Sequence, residues 1–334
     1  MVVIEKELKH MSHEVDEKGL EPWRFQILTL GVERAGDNIL DRLTSLKVNG
    51  AECTAVNTGI TRSELIHGIK GHIEERNVTF ISEEGNENDT GAAPAIAEMY
   101  KKKGATVIGV VTIPSRREKK RTDLALHALA EMKEVADTTI IMDNEKLIDL
   151  IPQPINDAFT LTDEVLANMV KGIAETIAIP SLINLNFADF RTMMELGELA
   201  TVGKGESDEP DRAEKAAKNA IGHLLLDVQY KDASGALIHI AGGEDLKLEE
   251  AVRTAEIVTA MLDEKALVIW GARVDPSLGK RLRITILLTG IQAPQILGEC
   301  RLPEMELYNL EPYAEPEKPL NIDLDLYQLE TDVE

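Results

Sequence analysis

The residues best placed to do chemistry lie in the segment Leu182 to Ser207, LINLNFADFRTMMELGELATVGKGES. Asn184, Asn186 and Asp189 bring two amides and a carboxylate close together in the chain. A carboxylate such as Asp189 can position a water or accept a proton, whereas Asn186 can exchange hydrogen bonds but lacks useful basicity. Asp189 also has a plainer reading, as the cap of a helix beginning at RTMMELG. Asn144 and Asp163 divide the same way, since an amide can cap a helix and an acid favours a helix N-terminus. Glu118 and Arg121 sit in the run RREKKR, which alone reads as a solvated basic stretch. His67 and His72 are wrongly spaced to share one helical face, so no metal site is expected there.

Composition narrows the partners. The 334 residues carry a net charge of −23, are 43% hydrophobic and contain only 4% aromatics, the profile of a globular chain with aliphatic cores. Such an anionic field repels phosphate backbones and acidic lipid, so no nucleic-acid partner and no direct membrane binding are expected. No apolar run approaches the roughly 20 residues that span a bilayer. The first residues, MVVIEKELKHMSHEVDEKGLEPW, are charged throughout and lack the apolar core of a signal peptide. Cys53 and Cys300 make no disulfide framework. A cytoplasmic protein is the expectation.

The elements that must position these residues follow from periodicity. Short apolar runs begin at Phe25, Ala51, Val78, Ala105 and Thr138, separated by helical patterns at Arg62 to Glu75 and Thr122 to Glu134. That alternation predicts an α/β fold with a parallel sheet and crossover helices. Phe159 to Ile179 reads as one long helix whose Val165, Met169, Val170, Ile173 and Ile177 could face two bodies, ended by Pro180. Helices are expected at Asp211 to Ile221 and Lys247 to Leu262, and strands from Gly235, Ala266 and Arg283. The expected organisation is a flexible arm (1–22), a nucleotide-binding type of domain (23–155), a central helix (156–180), an α+β domain (181–291) and an acidic flexible tail (292–334).

Taken together, these segments resemble the FtsZ family of the tubulin/FtsZ superfamily, from roughly Trp23 to Ile291. NLNFAD resembles the family loop Asn-x-Asp-Phe-Ala-Asp, with Asn184 and Asp189 matching and Asn186 in place of an acid. In the family this loop reaches the nucleotide of the next subunit in a filament. The resemblance therefore implies catalytic positions at Asn184, Asn186 and Asp189, and a tubulin/FtsZ-like fold with a Rossmann-type GTPase domain. NEKL at Asn144 resembles the family's base-binding motif. AFTLTDEVL places Phe159 to stack on guanine and Asp163 to accept from its amino group. PSRREKKRTDLAL resembles the ribose-side element with one residue missing, which gives Glu118 and Arg121 a sugar- and phosphate-facing role.

The phosphate end departs from the family. Its glycine-rich turn, Gly-Val-Gly-Gly-Ala-Gly-Asn, corresponds to GVERAGDN: Gly31, Ala35, Gly36 and Asn38 match, Asp37 intervenes, and Glu33 and Arg34 replace glycines. The signature Gly-Gly-Gly-Thr-Gly-Thr-Gly corresponds to GNENDTG, where Gly85, Thr90 and Gly91 survive but Asn86, Glu87 and Asp89 occupy glycine positions. Bare backbone is what lets N–H groups reach phosphate at a helix N-terminus. The expectation is GTP/GDP affinity that is weakened or lost, with an FtsZ-like cytoskeletal or division protein acting by filament assembly with itself or another FtsZ-like chain. Two alternatives stay open: an active GTPase in which Mg2+ held by the new acids replaces the glycine cradle, and a non-polymerising adaptor whose tail docks a partner protein.

Overall fold

The computed structural model describes residues 27–32, 51–56, 78–84, 92–115, 117–146, 165, 167–174, 182–183 and 185–297. The arm, the helix expected at Arg62 to Glu75 and the tail beyond Leu297 lie outside the described residues.

Nine strands form one sheet in the order β2-β1-β3-β4-β5-β6-β9-β7-β8. Their ranges are β1 Ile27–Val32, β2 Ala51–Val56, β3 Val78–Glu84, β4 Thr106–Ile113, β5 Thr138–Asp143, β6 Leu199–Ser207, β7 Gly235–Gly242, β8 Leu267–Val274 and β9 Leu282–Thr289. All neighbouring pairs are parallel except those of β9, which runs antiparallel to β6 and β7. The helices are α1 Ala92–Lys102, α2 Lys119–Val135, α3 Phe187–Glu195, α4 Arg212–Gly222 and α5 Leu248–Thr259. Where residues are described, the expected strands and the helices expected at Thr122, Asp211 and Lys247 fall within a few residues of these bounds.

Both faces of the sheet are covered, which is why β1, β4 and β7 are near-continuous apolar runs rather than alternating ones. Leu28, Leu30, Val107 and Val111 join the core beneath α1, α2, α4 and α5. Their neighbours Ile27, Ile108 and Val110 point the other way, as strand periodicity requires. On that second face they meet α3 and the helical segment 167–174. This segment is the described part of the expected central helix. Met169, Val170 and Ile173 pack with Ile140 from the first half of the sheet and with Leu237 and Leu287 from the second. The helix therefore bridges the two halves.

β6 is the strand that sequence reading does not separate from the preceding loop and helix. Its glycines lower strand propensity, yet they serve packing. A Cβ at Gly203 would lie 2.1 Å from the Ala220 carbonyl oxygen, and one at Gly205 2.0 Å from that of Ala216. The gaps let α4 lie directly on the strand. β6 also makes the sheet continuous, pairing Leu199 and Ala200 with Thr139 and Ile140 of β5.

Arg212, at the start of α4, ties three segments together. Its guanidinium donates to both carboxylate oxygens of Glu250, at 2.6 and 2.7 Å, to Asp245 at 3.1 Å and to the Lys280 carbonyl. Glu250 and then Asp245 raise its basicity against the opposing effect of burial. The fork geometry suits Arg alone. Arg212→Met should lower unfolding free energy by about 3 kcal/mol by stranding the half-buried Glu250 carboxylate. Arg212→Lys should fall between that variant and the native chain, read from urea midpoints.

His239 on β7 is buried, and its Nε2 has no hydrogen-bond partner. Burial first, then the positive fields of Arg273 and Arg283, pushes its pKa down to about 3, with Asp275 opposing. The unfolded chain therefore binds this proton at a higher pH than the folded one. Stability should fall as pH drops below about 6.5 toward 3. Between pH 7 and pH 5 the loss from this group is about 2 kcal/mol. His239→Leu should remove that part of the slope in urea titrations at the two pH values.

Candidate functional site

Parallel strands deliver their carboxyl ends to one edge, and ligand clefts in open α/β sheets form there. Register fixes that edge here. Gly31 lies level with Ser82 and Ala55, Glu84 with Thr112, and Ile113 with Asp143. The carboxyl ends of β1, β3, β4 and β5 thus lie side by side. Glu33, Arg34, Ala35, Gly36, Asp37 and Asn38, together with Asp89, Thr90 and Gly91, belong to the segments that follow β1 and β3 and lie outside the described residues, as do Phe159, Asp163 and Asn184. Gly31 is described and buried within β1.

Asn144 directly follows β5 and is only 5% exposed. Its position is set from both sides. The Asp143 N–H donates to the Leu225 carbonyl at 3.1 Å, and Asp143 Oδ1 accepts from the Glu145 N–H at 2.9 Å. A buried amide held at the carboxyl edge can present one donor and one acceptor to a planar ligand. Glu118 and Arg121 stand at the start of α2, after β4. Arg121 Nη1 donates to Glu118 Oε2 at 2.6 Å, and both side chains are about one-third exposed. Such a pair contributes under about 1 kcal/mol to folding. It does hold a neutralised cation and anion together at the same edge.

The Asn186 and Asp189 positions are built differently. Ile183 exchanges two backbone hydrogen bonds with Ala272 of β8, at 3.1 and 3.2 Å. Leu185 is buried, and Phe190, Met193 and Met194 anchor α3 with no exposed surface. Phe187 lies over Phe190 with ring centroids 6.3 Å apart. This one-sided anchoring leaves Asn186 and Asp189 on the solvent side, both exposed. The helix cap is Asn186, not Asp189: Asn186 Oδ1 accepts from the Ala188 N–H at 3.0 Å. Asp189 is in the first turn, three residues beyond the cap, where a negative charge meets the positive end of the helix dipole. The expected cap at Asp189 is thus corrected by one turn: Asn is as good an N-cap as Asp, and the helix begins at Phe187.

The far end of α3 fixes where this loop belongs. Thr138 Oγ1 donates to the Gly197 carbonyl at 2.5 Å, and the Thr139 N–H to that of Glu198 at 2.9 Å. Residues just past α3 therefore sit at the amino end of β5, while Asn144 sits at its carboxyl end. Six extended residues separate those levels by about 20 Å. Among the described residues no group of three or more His, Cys, Asp or Glu side chains could hold a metal ion, and no helix is long and apolar enough to cross a membrane.

Because the Asn186 amide already caps α3, the site separates folding from charge. Asn186→Asp should leave thermal stability within about 0.5 kcal/mol of the native chain, whereas Asn186→Ala should cost about 1 kcal/mol. Thermal melts of the two variants check this.

Comparison with known proteins agrees with this geometry. Residues 198–292 match the model of the FtsZ family C-terminal domain, and residues 62–152 that of the Tubulin/FtsZ family GTPase domain. The second match begins beyond the altered turn that follows β1. The chain is 40% identical over 317 residues to cell division protein FtsZ 2 of Methanocaldococcus jannaschii, covering 84% of this chain and 83% of that one. It is 37% identical over 358 aligned positions to cell division protein FtsZ 1 of Thermococcus kodakarensis, covering 96% and 92%. Among solved structures, an empty FtsZ dimer from M. jannaschii superposes with a TM-score of 0.75 at 34% identity, covering 86% of this chain and 92% of that one. With both family domains, the sheet that joins them and relatives of this identity along most of its length, the chain belongs to the FtsZ family of the tubulin/FtsZ superfamily.

Proposed function

We propose that this chain is a cytoplasmic division or cytoskeletal protein that works by head-to-tail assembly, and that its cleft binds GTP and GDP more weakly than the glycine cradle of its family. The observation that carries this reading is the set Glu33, Arg34, Asn86, Glu87 and Asp89, which replaces family glycines in the two segments leaving β1 and β3. Each carboxylate about 4 Å from a phosphate oxygen costs roughly 1 to 4 kcal/mol at dielectrics between water and a protein surface. Two or three such groups remove several decades of affinity. The base side keeps what a purine needs, because Asn144 is buried and held at the strand end. GTP thus fits the base side and is opposed on the phosphate side.

Assembly is supported by the exposed, helix-anchored Asn186 and Asp189 at some distance from the Asn144 edge. A contact between unlike surfaces of successive subunits propagates as a filament. The FtsZ dimer among the solved relatives is in keeping with this. Asp189 would enter the next subunit's cleft, and Asn186 spares that cleft a second negative group. With one of the loop's two carboxylates replaced by Asn186, water activation rests on Asp189 alone, and turnover falls by about 100-fold or more.

Restoring glycine at Glu33, Arg34, Asn86, Glu87 and Asp89 should tighten GTP binding by at least about 100-fold, measured by equilibrium titration with and without Mg2+. Sub-micromolar binding by the native chain would refute the weakened cleft. Tightening that appears only with Mg2+ in the native chain would favour the metal-assisted alternative. Asn186→Asp should raise the assembly threshold at low salt, where screening is least, without restoring hydrolysis. Light scattering and phosphate release read the two effects separately.

A further inference from the structure

β8 is the last strand of the sheet, and its outer edge is largely unused. The odd-numbered residues donate inward: the Leu267 N–H goes to the Ser234 carbonyl and the Asp275 N–H to that of Gly242. The even-numbered ones point outward, as the Ala272 N–H shows by donating to Ile183. Val268 and Trp270 therefore turn their N–H and C=O groups outward, and among the described residues nothing pairs with them. Leu267, Val268, Ile269 and Trp270 are all partly exposed as well as apolar. An open apolar edge of this kind is a template for another strand.

The chain holds one segment suited to it. In Leu320 to Leu326, LNIDLDL, Leu320, Ile322, Leu324 and Leu326 alternate with Asn321, Asp323 and Asp325. That is a two-residue period with one apolar and one acidic face. Reach is ample. Pro294 lines the same cleft as Ser234, whose carbonyl bonds the first residue of β8, so the described chain ends at the level of this strand's amino end. Residues 298–319, as a relaxed coil, span about 25 Å, close to the length of β8. Charge also fits. Placing the apolar row beside Val268 and Trp270 puts Asp323 and Asp325 on the face that carries Arg273 and Asp275, where Lys171 adds a second cation and leaves the group net positive.

We infer that residues Leu320 to Leu326 of the same chain add to the outer edge of β8 as a tenth strand, continuing the pairing that Ile183 makes at Ala272. A tethered segment acts at an effective concentration near millimolar, so a weak strand addition suffices to keep it seated. The proposal is independent of nucleotide binding.

The test is hydrogen exchange of the Val268 and Trp270 amides in the full chain, at concentrations where it is monomeric. The native chain should exchange these amides at least about tenfold more slowly than the full-length Ile322→Asp/Leu324→Asp variant or a chain lacking residues 318–334. In a Trp23→Phe background, Trp270 fluorescence should shift to longer wavelength in the same variants. Equal exchange in all three chains would overturn the inference. So would protection that rises with protein concentration, because the edge would then be taken by a second copy.

Discussion

The pairing of β5 with β6 is the interaction on which the rest depends. Only Thr139 with Leu199 and Ile140 with Ala200 are in register, yet they turn two α/β halves into one sheet. Thr138 adds a side-chain bond to the Gly197 carbonyl at the same seam. With the seam in place, the Asn144 edge and the Asn186 loop cannot move independently. One is the carboxyl end of β5, and the other leads through α3 to its amino end.

From this seam the division of labour follows. One face of the sheet carries the short crossover helices. The other carries segment 167–174 and α3, whose Phe190, Met193 and Met194 leave the core no freedom to swing the loop inward. The loop is held outward by apolar anchoring, with the Asn186 cap as its one described side-chain hydrogen bond. A chemical change such as an acid becoming Asn186 can thus occur without structural cost, since the amide does the same capping. Glycine-to-acid changes at a phosphate cradle are different in kind. On the reading proposed above, they would put charge where a ligand's charge would lie.

Much of this was legible in the residues. β2 and β7 were readable to the residue because each is bounded by polar or glycine positions, Gly50 and Asn57 for one and Ser234 and Gly243 for the other. α2, at Lys119–Val135, was readable from Leu126 and Leu129 on one stripe, although its first turn hid within the basic run RREKKR. β6 was not legible, because Gly203 and Gly205 mask a strand whose glycines are required by the closeness of α4. Arg212 was missed for another reason. Its partners Asp245, Glu250 and Lys280 are distant in sequence, and no local pattern marks a clamp. At the site, burial of Asn144 follows from its place after a buried strand, whereas residue type admitted both Asn186 and Asp189 as the α3 cap and only the Asn186 Oδ1 contact with the Ala188 N–H decides between them.

The most direct measurement is the assembly threshold of the purified native chain, by sedimentation across a range of GTP concentrations with matched salt. If the contact surface was kept while the phosphate cradle was altered, polymer should form at a threshold that changes little between no nucleotide and millimolar GTP. A threshold that collapses on adding micromolar GTP, followed by disassembly as the nucleotide is consumed, would contradict the account.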